Sequence, residues 1–182
     1  ETWPVINLNN LKSLNYDELA FEIIHPFCGD SVDQEELRNI INKTYKNFHH
    51  PNTAPLVNLD DYQHVLELFY GPTFSFKDYA LQFLGNLFES FLNKSKEKIT
   101  IIGATSGDTG SAAIDACKLK KNINIFIIHP HKKISEIQRR QMTTVIEPNV
   151  YNIAVEGNFD DCQRIIKKLF VDSELLGATN LT

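Results

Sequence analysis

The sequence predicts an α/β fold, a parallel sheet with helices on both faces, and three observations carry that expectation. Apolar runs at residues 99–102, 123–128 and 150–155 recur along the second half of the chain. Each is followed by a polar turn and then a helical stretch, and strands that alternate with helices line up in parallel under a helical cover. A glycine-rich turn directly follows the first run, at the carboxyl end of a strand, where such folds place their ligands.

The 182 residues are 42% hydrophobic, enough material for a buried core, and carry a formal net charge of -5. That charge offers no general attraction to nucleic acid or to an anionic membrane, so any anion must be held by a local site. No stretch approaches the roughly 20 apolar residues of a membrane span, and the first residues lack the order of a signal peptide. The chain therefore reads as cytosolic. Cys28, Cys117 and Cys162 are odd in number and far apart, which indicates neither a disulfide framework nor a zinc site.

The elements follow in order. A first amphipathic helix starts at Asn15, with Glu18 at capping-box spacing, and stops at Pro26. Ser31 and Gln34 repeat that signature ahead of Leu37, Ile40, Ile41 and Tyr45, a helical stripe. Residues 47–55, with His49, His50 and two prolines, read as a loop whose histidines are solvated rather than metal-bound. Residues 65–69 suit a strand, Gly71 and Pro72 break it, and residues 75–91 form a helix with Phe76, Ala80, Phe83, Leu84, Leu87 and Phe91 on one side. The three strand-helix units come next, and the last helix ends near Leu176 and Gly177. This divides the chain into a helical segment (1–60), a lysine-bearing strand and helix (61–93) and a small α/β domain (94–176).

Two motifs carry chemistry. In Gly71-Pro-Thr-Phe-Ser-Phe-Lys77-Asp-Tyr, Ser75 and Asp78 have the spacing of a helix cap and its third helical residue, which puts Lys77 in the first turn. The helix dipole disfavours a cation there by roughly 0.3–1 kcal/mol, and flanking aromatic rings add desolvation. Both effects favour a neutral amine, the form that attacks an aldehyde. The plain alternative is a lysine that reaches water or pairs with Asp78.

The second motif is Gly103-Ala-Thr-Ser-Gly107-Asp-Thr-Gly110. Its glycines let the backbone turn tightly, and the amides at the following helix start, with the Thr105, Ser106 and Thr109 hydroxyls, form a cup for a carboxylate or phosphate. The plain alternative is a tight turn with Asp108 or Thr109 capping the helix. Lys118, Lys120 and Lys121 meet the negative end of that helix and need no further role. The glycine spacing differs from Gly-x-Gly-x-x-Gly, no Gly-Lys-Ser/Thr follows, and the next strand ends in His129-Pro130 rather than an acidic residue. A dehydrogenase is therefore a third reading, behind a non-catalytic anion-binding or partner-binding domain.

Together, Glu67-Leu-Phe-Tyr-Gly-Pro-Thr-Phe-Ser-Phe-Lys77-Asp and Ala104-Thr-Ser-Gly-Asp-Thr-Gly110 resemble the signature segments of the threonine synthase family, in the same order. Lys133-Ile-Ser135 with Gln138, and Gly157-Asn-Phe-Asp160-Asp-Cys-Gln163, extend the resemblance over nearly the whole chain, with His131 and Lys132 standing where some relatives have arginine. The resemblance implies the tryptophan synthase β-like fold, pyridoxal 5'-phosphate as cofactor, and a carbon-oxygen lyase reaction in which O-phospho-L-homoserine and water give L-threonine and phosphate. It implies that Lys77 holds the cofactor through a Schiff base and then moves protons. Thr105, Ser106, Gly107 and Thr109 would hold the substrate carboxylate, Asp108 would stand near the cofactor's phenolic oxygen, and Lys133 and Ser135 would meet the substrate phosphate. The family's cofactor-phosphate loop falls beyond residue 182, so the expectation is an N-terminal, incomplete fold that is inactive alone, with no nucleic-acid or membrane partner.

Overall fold

Asn15 and Glu18 exchange hydrogen bonds across the first turn of α1 (Tyr16–Cys28), so the expected capping box forms. The computed structural model, which describes residues 4–178 and Leu181, carries α1 through Pro26 to Cys28. The expected stop is corrected there: Pro26 lacks an amide and crowds the carbonyl four residues back, which a helix tolerates near its end, and Gly29 at φ 51 ends this one. Asp33, not Ser31, caps α2 (Gln34–Tyr45), since its carboxylate accepts from the Glu35 and Glu36 amides while Ser31 lies in a 3-10 turn.

α1 and α2 pack as a hairpin over Phe21, Leu37, Ile40 and Ile41. An aromatic chain continues that core: Tyr45 meets Tyr16 and Phe48, and Phe48 meets Tyr79 at 4.8 Å between ring centres. The Tyr45 hydroxyl donates to the Tyr79 carbonyl at 3.0 Å, and the Tyr79 hydroxyl donates to the Thr53 carbonyl at 2.7 Å. Burial pushes both phenols up, Tyr79 to about 12. A short antiparallel ribbon, β1 (Leu56–Asn58) with β2 (His64–Leu66), replaces the single strand expected at 65–69; both strands are exposed, so no burial pattern marks them in the sequence.

The chain forms two compact units, Glu1–Tyr79 and Ala80–Thr182. The second holds a parallel sheet in the order β3-β4-β5, from β3 (Ile99–Ala104), β4 (Ile123–Pro130) and β5 (Val150–Val155). Alternate residues Ile123, Ile125 and Ile127 of the central strand face α3 (Asp78–Ser95), α4 (Asp108–Cys117) and α5 (Glu136–Thr143), whose Leu92, Ile114, Cys117 and Met142 complete that core. α6 (Phe159–Leu169) lies against β3 and β4 and buries Cys162 outside that cluster, and α7 (Ser173–Ala178) follows. Leu181 bridges Thr100 in parallel on the free side of β3.

Close contact fixes α3 on this unit. A Cβ at Gly85 would stand 2.5 Å from the Ala116 carbonyl oxygen, so only glycine lets the two helices approach. Gln82 donates to Asp115 at 2.8 Å, and the buried Lys120 ammonium bonds Asn86 at 2.8 Å and Glu89 at 3.0 Å. Lys120 is thus a buried tie between elements rather than a solvated counter-charge at a helix end, because its stem crosses the α4–β4 turn toward α3. No helix among the described residues is long and apolar enough to cross a membrane.

Candidate active site

Between Gly71 and α3 the first unit folds over one carboxylate. Asp78 is fully buried and accepts the Thr73 hydroxyl at 2.7 Å, the Thr73 amide at 2.8 Å and the Ser75 amide at 3.4 Å. A Cβ at Gly71 would lie 2.4 Å from the Asp78 Cβ, so the turn closes only over a hydrogen. Phe74 takes φ 60, a strained setting for a bulky aromatic residue, and points outward against His49. Such strain persists only where surrounding bonds over-determine the backbone, and the Asp78 network supplies them.

Lys77 immediately precedes α3 instead of lying inside its first turn, because Asp78 opens the helix and the Ser75 hydroxyl accepts from the Lys77 amide at 3.3 Å. Its amine lies 4.3 Å from the centre of the exposed Phe76 ring. Pairing with Asp78 is not made, since both carboxylate oxygens face inward. Among the described residues no carboxylate takes its place beside Lys77.

In the second unit, the glycine turn joins β3 to α4. Thr105 is 2% exposed, and its hydroxyl oxygen accepts the Gly107 and Gly110 amides, each at 2.9 Å. Both acceptor positions of that hydroxyl are used inside the turn, which Thr105 thereby shapes. Gly107 is the N-cap of α4 at φ 145 and, being glycine, makes no side-chain cap bond, while Thr105 takes the Gly110 amide at the third position of the helix. Neither Asp108 nor Thr109 is a cap, so the amides of Asp108 and Thr109, which have no partner four residues back, are left to the outside along with the exposed Ser106 and Thr109 hydroxyls.

Asp108 instead meets α5. The Gln138 side-chain amide donates to Asp108 Oδ1 at 2.5 Å, while its carbonyl accepts the Ser135 hydroxyl at 2.9 Å. Ser135 caps α5 by accepting the Gln138 amide at 3.2 Å, and Lys133 is exposed in the turn before it. The structure brings Thr105, Ser106, Gly107, Asp108, Thr109 and Ser135 together in the second unit, and Lys77 belongs to the first. The role of Gln138 was not legible as a contact, because a residue thirty positions from Asp108 carries no local signal. The Thr73, Ser75 and Asp78 bonds were partly visible in the cap spacing. Among the described residues no group of three histidine, cysteine, aspartate or glutamate side chains is placed to hold a metal.

Residues 51–179 match the family model for pyridoxal-phosphate dependent enzymes, and residues 1–45 match that for the threonine synthase N terminus. The chain belongs to the threonine synthase family of pyridoxal-phosphate-dependent enzymes. It is 49% identical to the threonine synthase of Pseudomonas aeruginosa, over 100% of this chain and 39% of that relative. Among solved structures, the pyridoxal-phosphate-bound threonine synthase of Brucella melitensis superposes with a TM-score of 0.90 at 41% identity, covering 96% of this chain and 38% of that one. Yeast threonine synthase gives the same score and identity over 99% and 38%. The chain thus spans about two fifths of the length of these threonine synthases. Pyridoxal 5'-phosphate is the family's cofactor, and the residues present suit it: a primary amine without a carboxylate partner among the described residues, beside exposed aromatic rings, and a turn of amides at a helix start suited to an anion.

Proposed function

We propose that the full protein containing this chain is a threonine synthase that converts O-phospho-L-homoserine and water to L-threonine and phosphate, a carbon-oxygen lyase acting on a phosphate ester. The observation that carries the reading is the inward Asp78 carboxylate, which leaves the adjacent Lys77 amine without a counter-ion among the described residues of a chain of this family. An amine that no carboxylate holds in an ion pair is free to approach an aldehyde, which is what Schiff-base formation requires of it.

Lys77 is the residue that would hold the cofactor, and its Nζ would then carry protons between substrate carbons. The cofactor supplies an aldehyde and an electron-withdrawing ring, and the protein supplies placement and charge. The Ser106 and Thr109 hydroxyls and the Asp108 and Thr109 amides bind the substrate carboxylate, in a turn shaped by Gly107 and Thr105. Asp108 stands toward the cofactor, and Lys133, with Ser135 beside it, offers the charge that meets the substrate phosphate. In this reading residues 61–93 belong to the larger cofactor domain and residues 94–176 form the smaller one. The 182 residues by themselves are inactive, since they correspond to about two fifths of their relatives' length.

Incubation with pyridoxal 5'-phosphate, borohydride reduction and peptide mass analysis test the assignment. The reduced adduct is expected on Lys77 and absent from Lys77→Ala. Labelling spread over surface lysines, unchanged by that substitution, overturns it.

A further inference from the structure

An aspartate at the first position of a helix that is to receive an anion is a conflict. Asp108 opens α4, and its carboxylate can either fold back onto the free amides of the helix start or point away from them. It points away, because the Gln138 amide holds Oδ1 at 2.5 Å. Gln138 is itself fixed at both ends: its backbone amide bonds Ser135 Oγ, its side-chain carbonyl accepts from the same hydroxyl, and it lies so close over Gly107 that a Cβ there would stand 2.3 Å from its Cδ. The Gly107 setting of φ 145 and the Asp108 carboxylate are therefore held by one side chain.

We infer that Gln138 is a positioning residue, a latch that draws the Asp108 carboxylate aside and so keeps the start of α4 open to an incoming carboxylate or phosphate. The inference rests on the proposed function only for the identity of the ligand. Unlatched, Asp108 becomes an internal anion that competes for the same amides. With glutamate in place of Gln138, two carboxylates face each other where one amide bond stood, and one of them must take a proton for the latch to close.

The other charged groups near this pair do not supply the same effect. Glu136 on α5 is bound by Arg139 and Arg140, which hold it down to about 2. On α4, Asp115 is tied to Lys118. The turn between β4 and α5 brings His131, paired with Glu156 of the segment after β5, and the cations Lys132 and Lys133; His129 at the end of β4 is buried.

The test is titration of the nitrogen-15-labelled chain with O-phospho-L-homoserine, following the amides of residues 106–110, together with hydrogen exchange at Gly107 and Gly110 without ligand. Gln138→Ala is expected to weaken binding about tenfold, the loss of one hydrogen bond to a charged group. Adding Asp108→Asn to Gln138→Ala restores affinity, which a merely structural role for Gln138 would not allow. Gln138→Glu binds poorly at pH 8 and recovers on acidification toward pH 5, a profile the parent chain and Gln138→Glu with Asp108→Asn both lack. In exchange, Gly107 and Gly110 of Gln138→Glu lose protection at pH 8 and regain it at pH 5. Variants that bind and exchange like the parent at every pH, or a Gln138→Ala defect that Asp108→Asn leaves unrelieved, overturn the latch. Should the parent chain show no shifts with this ligand, the substrate assignment falls while the exchange comparison still decides the latch.

Discussion

Thr73 and Asp78 are joined twice, amide to carboxylate at 2.8 Å and hydroxyl to carboxylate at 2.7 Å, across the turn that carries Lys77. One buried carboxylate thereby replaces the backbone ladder a regular element would have supplied, and it is withheld from the lysine beside it.

Removing that carboxylate leaves the turn without its acceptors. Asp78→Ala is expected to cost about 2–4 kcal/mol, because buried donors are left unpaired. Thr73→Val, which loses the hydroxyl bond and keeps the carboxylate, should cost about 1–2 kcal/mol. Urea unfolding followed by circular dichroism measures both, and a cost for Asp78→Ala no greater than for Thr73→Val contradicts the network.

The glycine turn predicts a steric outcome. A Cβ at Gly110 would meet Thr105 Cγ2 at 2.5 Å and Met142 Sδ at 2.6 Å. Gly110→Ala should destabilise the second unit by about 1–3 kcal/mol through overpacking, and Gly110→Ala combined with Met142→Ala should recover only part of it, since the second change opens a cavity. Melting temperatures of the three variants report the order.

Stability should fall in alkali. Cys117 is pushed up to about 11 and Tyr79 to about 12, chiefly by burial, and Tyr45 also rises for that reason. Each is an acid whose charged form the folded state disfavours. The unfolded chain therefore releases these protons first, from about pH 9 upward for the thiol and pH 10 for the phenols, and stability declines as pH rises toward 11 and 12. Unfolding midpoints measured from pH 8 to 11 should drop, and Tyr45→Phe should shallow the drop.

The thiols should separate by reactivity. Cys28 is partly exposed, whereas Cys117 and Cys162 are buried. A disulfide reagent at pH 8 should consume one thiol quickly, at Cys28, and the others only on unfolding. Fast loss of two or three contradicts the burial of α4 and α6 in the sheet unit.

Much of this was legible in sequence where the signal is local. The run at 150–155 became β5 at those bounds, the Asn15–Glu18 box formed, and the turn after β3 was recognisable by its glycines. Misplaced boundaries fell where two caps compete within a few residues, as with Ser31 against Asp33, or where exposed strands lack an alternating pattern, as in β1 and β2. Lys120 was misread because only the α3–α4 approach at Gly85 makes its position buried.

Sequence by itself determined the family, the alternation of strands and helices, and which segments carry an amine and an anion-binding turn, since these depend on spacing along one backbone. Tertiary structure alone decided that Asp78 turns from Lys77 toward Thr73, that Thr105 faces inward, and that Gln138 reaches Asp108 from another helix. The physical reason is that a side chain's hydrogen-bond partner is chosen by which polar groups burial leaves within about 3 Å of it. That choice is made only when distant segments have packed.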